Sequence, residues 1–304
     1  MTTPILIDCD PGHDDAIALL LALASPEVEL LGVTTVHGNQ TLAKTTANAL
    51  RILELAGRGD VPVAAGADRP LARDLFVAAY VHGESGLDGP ALPPARGRPV
   101  EQDAVDFLAE RLRPGVVLVA TGPLTNVALL LERHPDLRPE RIVLMGGAIG
   151  LGNVSPAAEF NVWADPEAAH WVLTSGLDMT VVPLDVTHQA LVTPERSARL
   201  RAAGRVGEVV ADLLAFFSVF HRETYGWPGP PVHDAVALAY AFRPELLETV
   251  ERHVAVETES ELCRGRTVVD LYRRTGAEPN ARVAVGIDAE AFLDLLEERI
   301  ASLG

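Results

Sequence analysis

Eight consecutive residues, Asp8-Cys9-Asp10-Pro11-Gly12-His13-Asp14-Asp15, carry four carboxylates. They follow a short apolar run, Ile5-Leu6-Ile7, and precede a wholly apolar stretch, Ala16 to Ala24. Like charges this close repel, and burial raises the penalty. A hard divalent cation with oxygen ligands is the simplest compensation, helped by the N-terminus of the helix that begins here. The competing reading has Asp14 and Asp15 cap that helix while Asp8 and Asp10 lie exposed. A cap needs one acid rather than four. Cys9, between acids, is expected to be a small core residue rather than a nucleophile.

Other polar residues recur just after apolar runs. They are His37-Gly38-Asn39, Thr121-Gly122-Pro123-Leu124-Thr125-Asn126, Met145-Gly146-Gly147, then Asn153, Glu159-Phe160-Asn161 and Asp185. Each alone has a bland reading as a turn residue or a satisfied buried amide. Their repeated placement suggests convergence, because ligands of open α/β sheets bind beyond the carboxyl ends of the strands. Late in the chain, Val232-His233-Asp234-Ala235 opens an apolar helix. Taken alone, the motif is better read as an N-cap at Asp234 with His233 an exposed loop residue. His221, Tyr225 and Trp227 gather just before it in a chain with only 5% aromatic residues, which suggests a stacking site.

The elements that must position these groups alternate. Ile5–Ile7, Val28–Val36, Val61–Ala64, Val116–Ala120, Ile142–Met145 and Met179–Leu184 read as strands. Asp14–Ala24, Thr41–Ala56, Glu101–Leu112, Leu124–Arg133 and Asp165–Thr174 read as helices, the last with an Asp-Pro-Glu start signal. Continuous apolar strands alternating with helices indicate an open, mostly parallel sheet flanked by helices. Residues 193–242 read as mostly helical. Short strands at Val254–Val256, Thr267–Leu271 and Val283–Val285 precede a last helix, Ala289–Ile300. With no linker or repeat, residues 1–304 read as one α/β domain. Residues 66–99, rich in Gly, Pro and Arg, form a long loop. Its His82-Gly83-Glu84-Ser85-Gly86-Leu87-Asp88-Gly89 is too specific in composition for a linker.

Composition excludes several function classes. The 304 residues carry 25 Lys plus Arg against 42 Asp plus Glu, a net charge of −17. That argues against nucleic-acid and anionic-membrane partners. At 48% hydrophobic residues the chain is no disordered protein. Two distant cysteines, Cys9 and Cys263, cannot build a disulfide framework, and with no signal-peptide pattern a cytoplasmic protein is expected. The glycine spacing for a dinucleotide site, a P-loop and a G-x-S-x-G elbow are all missing.

Taken together the motifs resemble the inosine–uridine nucleoside N-ribohydrolase family over nearly the whole chain. The resemblance rests on Asp10-x-x-x-Asp14-Asp15, Asn39, TGPLTN at 121–126, VLMGG at 143–147, AEFN at 158–161, DPEAA at 165–169 and HDA at 233–235, all in the family's order. It implies hydrolysis of ribonucleosides to ribose and free base with a tightly bound Ca²⁺. Its implied ligands are Asp10, Asp15, Asp234 and the carbonyl of Thr121, completed by the ribose 2′- and 3′-hydroxyls and a water. Asp14, Asn39, Asn161 and Asp234 are implied to hold those hydroxyls. Asn153 and Glu159 would take the 5′-hydroxyl, and Met145 would line the ribose. Asp10 is the implied general base, and His233 the group that protonates or orients the leaving base. His82, Phe160, His221, Tyr225 and Trp227 are the base-pocket candidates.

The base preference leans to pyrimidines, with broad inosine–uridine specificity close behind. Family members work in nucleoside salvage and assemble as homotetramers or homodimers, so the same is expected here. The 66–99 loop is expected to close over substrate, since excluding water strengthens the site's electrostatics. Two rival classes share parts of the pattern. An aspartyl phosphatase also begins D-x-D after a strand, but here Pro11-Gly12 follows and no later Lys motif stands out. A nucleoside-binding or metal-storing protein would bind uridine without turning it over.

Overall fold

The computed structural model describes residues 2–304. In chain order, β1 (Thr3–Cys9) leads into α1 (His13–Ala24), β2 (Val28–Thr35), α2 (Leu42–Leu55) and β3 (Val63–Ala65). A four-residue α3 (Ala79–His82) interrupts the long segment before α4 (Ala104–Arg111), β4 (Val117–Ala120), α5 (Thr125–Arg133) and β5 (Arg141–Met145). Then come α6 (Phe160–Ala164), α7 (Pro166–Leu173), β6 (Met179–Val182), α8 (Leu184–Thr187), α9 (Pro194–Arg201), α10 (Arg205–Tyr225) and α11 (His233–Phe242). The chain ends with β7 (Leu247–Arg252), β8 (Val254–Val256), β9 (Thr267–Val269), β10 (Ala281–Ile287) and α12 (Ala289–Ala301).

Eight strands form one sheet in the order β3-β2-β1-β4-β5-β6-β10-β7. Every pairing is parallel except that of β7 with β10. The expected open parallel sheet is therefore present, with one antiparallel edge. Strand period two divides the core between its faces. Ile5 and Ile7 join Val117, Val119 and Val143 under α1, α10, α11 and α12. Leu6, Leu118, Ile142 and Leu144 point the other way, against α4, α5 and α7. β8 and β9 form a separate antiparallel pair. No helix among the described residues is long and apolar enough to cross a membrane.

Several expected boundaries move for identifiable reasons. The helix read from Glu101 starts at Ala104, because the Asp103 side chain caps it by accepting from the Asp106 N–H. Strand β6 stops at Val182, where Pro183 precedes a helical turn that takes up Leu184. The strand read as Val283–Val285 runs from Ala281 to Ile287, held on both sides by β6 and β7. Edge strand β7, with four polar residues in six, has no apolar run to mark it in the sequence.

Candidate active site

The loops beyond the carboxyl ends of β1, β2, β4 and β5 meet in one cavity, completed by the start of α11. The turn from β1 into α1 is built by its own polar groups. Asp15 Oδ2 accepts from the Gly12 N–H at 3.0 Å, and Asp15 Oδ1 from the Thr121 hydroxyl at 2.9 Å. Asn39 closes the gap from the β2 side. Its backbone N–H donates to Asp10 Oδ2 at 2.6 Å, and its amide to Asp15 Oδ2 at 3.1 Å. Only glycine fits the neighbouring positions: a Cβ on Gly38, at φ +153°, would lie 2.0 Å from Asp10 Oδ2.

Asp10, Asp14, Asp15 and Asp234 are all buried, none more than 5% exposed. Oxygens of Asp14, Asp15 and Asp234 lie within 4.8 Å of one another. Asp10 stands beside this trio, and its Oδ1 is buried without a hydrogen-bond partner. Burial, then the charge of Asp15, pushes the Asp10 carboxyl well above the usual range. Burial and Asp15 likewise raise Asp14 to about 7, and burial followed by the charge of Asp14 raises Asp234 strongly. No Lys or Arg lines the cavity among the described residues. Four carboxylates, Asp10 among them with an orphaned oxygen, and a nearby carbonyl make an all-oxygen donor set that fits a hard divalent cation. They fit a soft metal poorly, since no thiolate or imidazole joins them.

Asp8, counted with the acidic run in sequence, does not belong to this group. Strand alternation places it on the opposite face with Leu6. There Oδ1 accepts from Thr34 at 2.6 Å and from Asn126 at 2.7 Å. His37, Asn126 and Asp185 also stay out of the cavity. His37 bonds the Thr125 hydroxyl, and Asp185 accepts from the Ile149 and Gly150 N–H groups at 2.6 and 3.0 Å.

Of the expected substrate contacts, Asp14, Asn39, Thr121, Met145, Asn153, Glu159, Phe160, Asn161, His82, His221, Tyr225, His233 and Asp234 line the cavity. Asn161 donates its amide to the Thr121 and Met145 carbonyls at 2.7 and 3.2 Å, and among the described residues its Oδ1 has no hydrogen-bond partner. Glu159 caps α6, accepting from the Asn161, Gly147 and Val162 N–H groups. Burial still outweighs these bonds and raises its carboxyl to about 7. Asn153 Oδ1 accepts from the Phe160 N–H at 2.9 Å.

Trp227 does not line the cavity. It stacks behind Tyr225, with ring centroids 4.4 Å apart, and meets His188 edge-on at 4.7 Å. Ala78, Tyr80, Val81, His188, Phe217 and Phe220 line it without having been read from sequence. Burial holds His82 and His233 well below the usual imidazole range and brings His188 and His221 to about 4. The aromatic end of the cavity therefore presents neutral imidazoles at pH 7.

Residues 78–88 are tied down over this end. His13 Nε2 bonds the Asp88 carbonyl at 2.8 Å, and the Ala78 N–H donates to the Asn39 carbonyl at 3.2 Å. The Gln40 amide donates to the Gly83 carbonyl at 3.0 Å.

A carboxylate cluster at the strand ends, amide and carboxyl groups along one wall and an aromatic end make a cavity suited to a hard cation and a polar ligand with an aromatic part. The chain belongs to the family described as inosine-uridine preferring nucleoside hydrolase, whose sequence model matches residues 5–294. It is an enzyme that cleaves the N-glycosidic bond of ribonucleosides.

Among its relatives, the pyrimidine-specific ribonucleoside hydrolase RihA of Citrobacter koseri is 54% identical over 308 residues, covering 99% of each chain. Among solved structures, the purine-preferring ribonucleoside hydrolase of Gardnerella vaginalis matches with TM-score 0.92 at 35% identity, covering 99% of this chain and 98% of that one. A plant nucleoside hydrolase, the PpNRh1 enzyme, matches with TM-score 0.93 at 34% identity over 99% of each.

Proposed function

We propose that this hydrolase is Ca²⁺-dependent and prefers pyrimidine nucleosides such as uridine and cytidine. The observation that carries the cation is the set of four buried carboxylates with no cationic side chain lining the cavity. Asp10, Asp15, Asp234 and the Thr121 carbonyl would hold it. When bound, it supplies a positive centre that orients two ribose hydroxyls and makes a nearby water easier to deprotonate.

The chain's own groups do the rest. Asp14, Asn39, Asp234 and the free Oδ1 of Asn161 hold the 2′- and 3′-hydroxyls, while Asn153 and Glu159 hold the 5′-hydroxyl and Met145 packs on the ribose. This fixes C1′ in one orientation before the bond breaks. Asp10 accepts a proton from the attacking water, whose oxygen bonds to C1′. The C1′–N pair departs with the base, and nearby carboxylates stabilise the positive charge that develops on the sugar. His233 faces the departing base, which takes up one proton overall, so water is divided between ribose and base. His82, Phe160, His221 and Tyr225 enclose the base, and residues 78–82 shield it from solvent. The enzyme would act in the cytoplasm, in nucleoside salvage, as a homotetramer or homodimer. Its two unpaired cysteines suit that compartment.

Support for the pyrimidine preference comes from the relatives at more than half identity, whose name carries it. Ribose release from uridine, cytidine, inosine and adenosine tests it directly. The two pyrimidine nucleosides are expected to show the higher kcat/KM. Equal values for inosine would instead support broad specificity.

The bound cation should also set how stability depends on pH. Asp14, raised to about 7 in the fold against 3.8, keeps its proton in the folded chain while the unfolded chain loses it. Cation-free protein therefore loses this contribution as pH rises from about 4 to about 7. The buried histidines act in the opposite direction, being harder to charge in the fold, and they do so with or without the cation. The Tm gap between Ca²⁺-loaded and chelated protein should then widen from pH 4 to pH 7. Differential scanning fluorimetry of both forms measures it, and a constant gap would count against the cluster as the binding site.

A further inference from the structure

α8 and α11 are clamped together behind the aromatic end of the cavity. The Val232 N–H donates to the Ala190 carbonyl at 3.3 Å, and the Val192 N–H to the Pro230 carbonyl at 3.0 Å. Leu191 and Pro231 form an isolated antiparallel bridge between the two segments. The clamp brings the hydroxyl of Thr187, fully buried at the end of α8, to 2.7 Å from Nδ1 of His233. Among the described residues the Thr187 hydroxyl has no other hydrogen-bond partner, and neither ring nitrogen of His233 has a second one.

A buried hydroxyl proton without an acceptor is costly. Here the one available acceptor is His233 Nδ1, so Thr187 donates and that nitrogen carries no proton. The proton of the ring then sits on Nε2. His233 lines the cavity, so Nε2 is the nitrogen left to meet a ligand.

We propose that Thr187 is a positioning residue that fixes the His233 ring so that its Nε2–H donates a hydrogen bond to the departing base. The inference rests on the reading of His233 as the group that meets the base. In the transition state the C1′–N electron pair moves onto the base, and the Nε2–H stabilises the charge that develops there. No proton need leave His233, because a neutral imidazole can polarise a developing anion by donation alone. Thr187 acts only through the ring. Without its hydroxyl the imidazole can rotate or exchange tautomers, and Nε2 is no longer held as a donor.

Two substrates separate this role from a structural one. Uridine leaves as a base that needs a donor. A 4-nitrophenyl β-ribofuranoside leaves as a phenolate that is stable without one. Thr187→Val keeps the shape and removes the hydroxyl, Thr187→Ala removes it with less bulk, and Thr187→Ser restores it. For Thr187→Val and Thr187→Ala, kcat on uridine should fall about 10- to 100-fold, with KM and the nitrophenyl riboside rate within about threefold. Thr187→Ser should recover kcat on uridine to within about threefold of wild type.

Equal loss on both substrates in a variant with the wild-type circular dichroism spectrum would overturn the proposal, as would an unchanged uridine rate. His233→Ala, run alongside, tests the underlying reading. If it slows both substrates alike, that reading fails and the proposal with it. If it is selective for uridine while the Thr187 variants are not, only the role of Thr187 is overturned.

Discussion

Asp10→Ala should yield a folded protein that no longer releases ribose from uridine. Two losses coincide in that variant. The carboxylate proposed to accept the proton of the attacking water is gone, and a positioned general base is typically worth about 10²–10⁴-fold. One of the oxygen ligands proposed for the cation is gone as well. The expected fall in kcat is at least about 10³-fold. The fold should tolerate the change, because Asp10 sits among like charges that already oppose its ionisation. What the variant strands is the Asn39 N–H that Asp10 Oδ2 accepts, a cost of about 1–3 kcal/mol. Asp10→Asn keeps an acceptor there and should be equally inactive with a smaller change in Tm. Steady-state ribose release and a thermal melt on both variants check this. A folded variant with a near-wild-type rate would sink the mechanism.

The acidic cluster was legible because three of its members stand within six residues of one another at a strand-to-helix turn. Spacing alone did not show that Asp8 leaves the group. The strand's end decides it: Asp8 lies within β1 on the Leu6 face and turns toward Thr34 and Asn126, whereas Asp10 lies beyond the last strand residue, Cys9. Asp234 could be placed only through its resemblance to a family motif, being far from the others in sequence and next to an apolar helix. The aromatic end was the least legible part. Phe217 and Phe220 lie in the long helix α10, where a helical apolar pattern reads as core. Phe217 is in fact 98% buried while also lining the cavity. His188 follows a four-residue helix that a proline start conceals. Trp227 stands behind Tyr225 and not in the cavity wall, because aromatic clustering in sequence reports neighbours and not depth. Among the fold elements, the parallel strands were legible as apolar runs. β7 was not, because four of its six residues, Glu248, Thr249, Glu251 and Arg252, are polar and only Leu247 is buried.

Removing the cation should have an effect as large as removing Asp10, and for a related reason. On the proposed reading, without it burial and the charge of Asp15 favour the protonated form of Asp10, which is then a poor base, and the ribose hydroxyls lose a partner. A metal's polarising contribution is several kcal/mol, or about 10³-fold and more in rate. The direct measurement strips wild-type protein with a chelator, removes the chelator by gel filtration, confirms the metal content by elemental analysis and follows ribose release from uridine as Ca²⁺ is titrated back. The account predicts a rate at least about 10³-fold below that of the loaded enzyme, recovering fully at one Ca²⁺ per chain. Undiminished turnover by protein shown to be metal-free would contradict it.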